Sequence, residues 1–159
     1  LDRMSAGDYA ALFGAIYRVP GESILAAADL THRAGVAFER LSGGEAQRLA
    51  IHAVCAHQPD LLLLDEPTAH LDPASRRGIG EALKRMGRER TVLISTHDLA
   101  EAEWVCDHLV FLEAGQVRAQ GPTRELVDAV PAERRTGRGL EDAYFHFCGA
   151  RITPEGDRA

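Results

Sequence analysis

The stretch Leu61-Leu62-Leu63-Leu64-Asp65-Glu66-Pro67-Thr68-Ala69-His70-Leu71-Asp72-Pro73 decides the fold. Its first four residues are apolar without alternation, and a proline follows at once. That is the pattern of a short strand buried in a parallel sheet. Asp72-Pro73 then opens a helix, because Asp is a favoured N-cap and Pro fits the first helical position. Ile79, Ala82, Leu83 and Met86 recur at helical spacing and mark its buried face, and Gly87 ends it. Thr91–Ser95 reads as a second buried strand. Strands alternating with helices predict an α/β fold built on a parallel sheet.

Upstream, Leu41-Ser42-Gly43-Gly44 opens a helix running to about His57, with Pro59 closing it. Residues 5–17 read as another: Tyr9, Leu12, Phe13, Ile16 and Tyr17 share one face, and Ser5 with Asp8 resembles a capping box. Pro20-Gly21 breaks the pattern, and a further helix is expected over about 22–33, ending near Gly35. Downstream, Asp98 and Glu101 cap a helix. His108–Glu113 and Gln116–Ala119 form a hairpin about Ala114-Gly115, and Glu125–Val130 is helical. Residues 131–139 read as an exposed linker, Leu140–Cys148 as a short helix, and the last ten residues as disordered.

The chain has 159 residues, enough for one domain, and a formal net charge of -6. An acidic balance argues against a nucleic-acid partner, whose binding surface is usually basic. Three widely spaced cysteines, Cys55, Cys106 and Cys148, suggest neither a disulfide framework nor a metal site, and fit reduced thiols. No apolar run reaches the roughly 18 residues of a membrane span. Neither a signal peptide nor an internal repeat is evident, and the first residue is Leu1 rather than Met.

Chemistry concentrates at four places. In Leu41-Ser42-Gly43-Gly44-Glu45-Ala46-Gln47-Arg48, a serine and two glycines precede a helix. Free backbone N–H groups and the helix dipole attract an anion there, and glycine permits close approach. Asp65 follows Ser42 by 23 residues, at the carboxyl end of the apolar strand, where open α/β sheets bind ligands. A carboxylate there can serve Mg²⁺, usually through water. Its neighbour Glu66 is suited to accept a proton from an attacking water. Leu71-Asp72 and then Ser95-Thr96-His97-Asp98 follow. If the two strands are neighbours, His97 comes beside Asp65 and Glu66, where it can contact a terminal phosphate.

These four motifs, in this order and spacing, resemble those of ABC-type ATPases. Leu41–Arg48 is similar to the ABC signature, Leu61–Glu66 to Walker B with its catalytic glutamate, Ala69–Asp72 to the D-loop, and His97 to the switch histidine. The resemblance implies a P-loop NTPase-like parallel sheet with a helical subdomain. It divides the chain into a remainder of the helical subdomain (1–40), an ATPase core (41–130), and a linker, short helix and tail (131–159). It implies ATP and Mg²⁺ as ligands. Ser42, Gly43, Gly44 and Gln47 would bind nucleotide held by a second ATPase subunit, with Asp72 acting across that interface. Asp65 would serve Mg²⁺, Glu66 would polarise water, and His97 would contact the γ-phosphate. A transmembrane permease would be the other partner, at the inner face of the cell membrane. Leu1–Tyr17 resembles the family's helical subdomain just after its Q-loop, and Gly139-Leu140-Glu141-Asp142-Ala143-Tyr144 resembles the C-terminal segment of drug, antibiotic and sodium exporter ATPases; the two together imply export.

One element of that family is absent. A phosphate loop needs G-x-x-x-x-G-K-[ST], and the single lysine, Lys84, follows Leu83 inside a predicted helix. The Q-loop glutamine and the adenine-stacking aromatic are also missing. The expectation is therefore the C-terminal piece of an ATPase, with the N-terminal part of the core missing and the Leu61–Leu64 strand left with an open edge. Two other functions compete. One is a non-catalytic module that completes a partner's ATP site in trans, which requires this chain to be folded and soluble. The other is a soluble ABC protein of translation or DNA maintenance. Leu61–Thr68 followed by His70-Leu71-Asp72 resembles that branch, but His97-Asp98-Leu99-Ala100-Glu101-Ala102 and the hairpin after it are closer to transporters.

Overall fold

The computed structural model describes residues 4–149. They form two compact units that meet in sequence between Ser95 and Thr96.

The first unit begins with helices α1 (Ala6–Tyr17), α2 (Gly21–Ala27) and α3 (Gly43–Val54). Ser5 and Asp8 close the expected capping box on α1, with Ser5 Oγ accepting from Asp8 N–H at 3.0 Å and Asp8 Oδ2 accepting from Ser5 N–H at 2.9 Å. The second helix is shorter than its sequence suggested. Asp29 adopts φ +56°, Asp29 N–H bonds Ala26 O, and Leu30 N–H bonds Leu25 O at 2.8 Å. This is a Schellman end with Asp in the left-handed position that glycine usually fills. The chain resumes as a 3-10 turn over Thr31–Arg33. Ala6, Ala10, Ile24, Leu25, Leu30, Leu49 and Ala53 from these segments make one buried core.

Strand β1 (Leu61–Asp65), helix α4 (Pro73–Gly87) and strand β2 (Thr91–Ser95) complete the unit. β1 and β2 are parallel, with Leu63 opposite Leu93 and Asp65 opposite Ser95. α4 packs on both β2 and α3. The strands are not buried on both faces as expected. Leu62 is buried, but Leu61, Leu63 and Leu93 are 53%, 63% and 60% exposed. Among the described residues this sheet has two strands, and Leu62 is buried on the face opposite these leucines.

The second unit contains α5 (Leu99–Val105), β3 (His108–Glu113), β4 (Gln116–Pro122), α6 (Thr123–Asp128) and α7 (Leu140–Cys148). β3 and β4 form the antiparallel hairpin, with Ala114 and Gly115 both at positive φ, as a two-residue turn of this hand requires. Phe111, Leu126, Val130, Leu140 and Ala143 form its core. Residues 131–139 include a 3-10 turn over Ala132–Arg134. The Asp142 carboxylate accepts N–H bonds from Thr136, Gly137 and Arg138. The tail from 150 onward, expected to be disordered, lies outside the described residues. Leu1, Asp2 and Arg3 lie outside them too. Among the described residues, no helix is long and apolar enough to cross a membrane, and the three cysteines are unpaired.

Candidate functional site

α3 and α4 run side by side in the same direction. Gly44, at the start of α3, lies against Ser75, while Cys55, just past its end, has its Sγ 4.0 Å from Met86 Sδ near the end of α4. The 12 residues of α3 span about 18 Å and the five of β1 about 17 Å. The chain leaves the far end of α3, returns through β1, and turns over Glu66–Asp72 into α4. The N-termini of α3 and α4 and the carboxyl end of β1 therefore share one end of the unit. Ser42, Gly43, Gly44, Asp65, Glu66 and Asp72 are brought to that end.

Ser42 is the N-cap of α3. Its Oγ accepts from Glu45 N–H at 3.2 Å, and Glu45 Oε2 accepts from Ser42 N–H at 2.8 Å. This capping box satisfies two of the helix's orphan donors. The amides of Gly43 and Gly44 keep no partner among the described residues, and the Ser42 hydroxyl retains its proton to donate. A carboxylate here would repel an anion, but the Arg33 guanidinium grips Glu45 with two bonds, 2.9 and 3.2 Å long. Those bonds, with the Ser42 amide, hold the Glu45 carboxyl down at about 2. In the sequence Glu45 carries only the Ser42-x-x-Glu45 capping-box pattern and no functional signal of its own. Arg33 comes from a separate turn, which the sequence does not connect to it. Gln47 lies one turn on, half-buried on α3.

A side chain at Gly44 would overlap Ser75, and one at Gly43 would meet Leu71 Cδ2 at 3.3 Å. The glycines thus allow the Leu71–Ser75 segment to close on the Ser42–Gly44 segment. Asp72 caps α4 as expected: Oδ1 accepts from Ala74 and Ser75 N–H at 3.0 Å each. Its carboxyl lies below the usual range, first through the Ser75 hydroxyl and then the backbone N–H groups.

Asp65 is exposed at the tip of β1. One of its oxygens, Oδ1, accepts the Ser95 hydroxyl, and the other has no hydrogen bond among the described residues. Glu66 sits at φ +45°, a conformation that costs a non-glycine residue about 1–2 kcal/mol. Among the described residues no three His, Cys, Asp or Glu side chains gather into a metal cage. A lone carboxylate with an open oxygen suits Mg²⁺, which keeps most of its waters and takes its other ligands from phosphates. The donor set fits that ion and not a fully protein-ligated one.

His97 belongs to the second unit. It is exposed at a bend two residues past β2 and just before the Asp98 cap of α5. Its loop is clasped from within that unit. Asp98 N–H donates to Thr96 Oγ1 at 3.0 Å, and Thr96 Oγ1 donates to Glu101 Oε2 at 3.3 Å. Glu101, expected with Asp98 to cap the helix, is 1% exposed, and its N–H donates to Asp98 Oδ1 at 3.0 Å. Lys84 lies within α4, so it is part of no phosphate-cradling loop.

Residues 7–103 match the family model described as "AAA domain, putative AbiEii toxin, Type IV TA system". The chain is 42% identical over 113 residues to the Nod factor export ATP-binding protein I of Cupriavidus metallidurans, covering 70% of this chain and 37% of that protein. It is 40% identical over 97 residues to the phosphate import ATP-binding protein PstB of Thermotoga maritima, covering 61% of this chain and 38% of that one. The chain thus spans under two-fifths of the length of either relative. A solved structure, of the ATP binding subunit of an ABC transporter, has the same fold: the TM-score is 0.70 at 24% identity over 93% of this chain and 64% of that one. The chain belongs to the AAA-domain family, and the proteins it is similar to include ATP-binding proteins of ABC transporters.

Proposed function

We propose that these residues are the signature, Walker B and D-loop portion of an ATP-hydrolysing subunit that powers an ABC transporter. Support comes from the parallel course of α3 and α4, which gathers Ser42–Gly44, Asp65–Glu66 and Asp72 at one end of the first unit. The free amides of Gly43 and Gly44 and the Ser42 hydroxyl donate to the terminal phosphate of a nucleotide held by a second subunit. The open oxygen of Asp65 would hold a water of a Mg²⁺ shell. When bound, that ion neutralises charge on the phosphate oxygens. Glu66 takes the proton of the attacking water, and His97 contacts the γ-phosphate. Gln47 and Asp72 line the interface between the two subunits. A transmembrane permease is the further partner, so the subunit works at the inner face of the cell membrane. Export is the direction we favour, on the resemblance of Gly139–Tyr144 alone, since the relatives include proteins named for export and for import.

The test is ATP hydrolysis by the native gene product that carries these residues. Glu66→Gln is expected to lower turnover by about 10²–10⁴-fold, the usual contribution of a general base, and unchanged turnover would sink the reading.

A second reading is that this chain lends Ser42–Gly44 to a partner's ATP in trans, supported by the Gly43 and Gly44 amides at the start of α3, unpartnered among the described residues. In that case the 159-residue chain restores hydrolysis to a partner subunit whose own signature serine is mutated. Ser42→Ala abolishes the rescue.

A further inference from the structure

We propose that Ser95 is a positioning residue for the Asp65–Glu66 pair, using both ends of its hydroxyl to orient one carboxylate and fix the backbone of the other residue. The inference rests on the reading of Asp65 as the residue that serves Mg²⁺.

Ser95 is the last residue of β2 and the register partner of Asp65. Its hydroxyl donates to Asp65 Oδ1. The same oxygen accepts from Glu66 N–H at 3.2 Å, and that N–H also reaches the Ser95 carbonyl at 3.1 Å. A serine hydroxyl has one proton to give and lone pairs with which to receive. Here the proton goes to Asp65 and a lone pair faces Glu66, so each bond fixes the hydroxyl for the other.

Two consequences follow for the site. The terminal torsion of an aspartate is broad, so an unheld carboxylate would present either oxygen. With Oδ1 engaged, Oδ2 is the one presented to a cation's shell. Glu66, at φ +45°, has its N–H shared between two oxygens of a single residue, which holds the strained turn at the point where its side chain departs. The strand gives no separate reason for a hydroxyl at this position. Ser95 is exposed at a strand end, and an apolar residue would continue the run Val92-Leu93-Ile94 equally well.

The test uses the 159-residue chain with Mn²⁺ alone as the probe. It reads paramagnetic broadening at the amides of residues 65 and 66 and hydrogen exchange at the Glu66 amide. Thr and Val have nearly the same shape and differ in the hydroxyl. Ser95→Val is expected to weaken Mn²⁺ binding by about tenfold, the lower end of the range for groups that orient a ligand. It should also speed exchange at Glu66, while Ser95→Thr preserves both. Equal losses in the two variants would overturn the proposal, because shape rather than the hydroxyl would then matter. Wild-type binding by Ser95→Val, with binding abolished in Asp65→Asn, would overturn it while leaving the cation reading intact. Wild-type binding by Asp65→Asn would remove the cation reading, and the proposal with it.

Discussion

Glu66 holds a left-handed backbone conformation at the carboxyl end of a strand, next to an exposed Asp65. Glycine would relieve that conformation but forfeit the carboxylate. Glu66→Gly is therefore expected to raise stability by about 0.5–1 kcal/mol in urea unfolding, since the left-handed cost exceeds the entropy glycine adds to the unfolded chain. In the native gene product the same change should lower hydrolysis as far as Glu66→Gln does. Stability unchanged or lowered would mean that the turn is set by contacts that do not tax the residue. The carboxylate pair was legible in sequence from its place after an apolar run. The strain was not, because a φ angle depends on what the turn must connect.

At the scale of elements, the start of α3 is held by Ser42, Glu45 and Arg33 together. The folded-state pKa of Glu45 is depressed, from an ordinary 4.5 to about 2, first by the hydrogen bond from Arg33 and then by the Ser42 amide. A depressed carboxyl stabilises above its unfolded value and loses that contribution as pH falls through its folded value. The cap should therefore hold fully above about pH 4.5 and weaken between there and pH 2. Carboxyl ¹³C shifts of Glu45 against pH check this. Arg33→Met should bring its titration most of the way back toward 4.5, with the Ser42 amide keeping a part of the shift. At the same end, Gly44→Ala would drive a methyl into Ser75, costing about 1–3 kcal/mol by denaturant unfolding. The cost appears net of alanine's better helix propensity, about 1 kcal/mol. Ser75→Gly in the same chain should recover most of it, the coupling expected of touching residues.

At the scale of the molecule, the two-stranded sheet leaves Leu61, Leu63 and Leu93 together on one uncovered face. Apolar patches of this kind promote association. The isolated chain should self-associate in sedimentation velocity, and Leu63→Glu with Leu93→Lys should shift it toward monomer. Because both positions are exposed, stability should change by no more than about 0.5 kcal/mol per site. A fully monomeric parent chain would contradict this account.

The sequence by itself determined the α/β class, the helix caps at Ser5, Ser42, Asp72 and Asp98, the parallel strands and the hairpin turn. Each depends on chemistry within a few residues of itself, on periodicity, capping side chains and glycine or proline at fixed offsets. It also marked Ser42, Asp65 and Glu66, because a glycine-led helix start and a strand-end carboxylate pair are local patterns. Only the tertiary structure decided that Arg33 neutralises Glu45, that Gly44 makes room for Ser75, and that Ser95 bridges Asp65 and Glu66. It also decided that the leucine strand is bare on one face. These depend on which distant segments meet, and burial and strand register settle that only once the whole chain has folded.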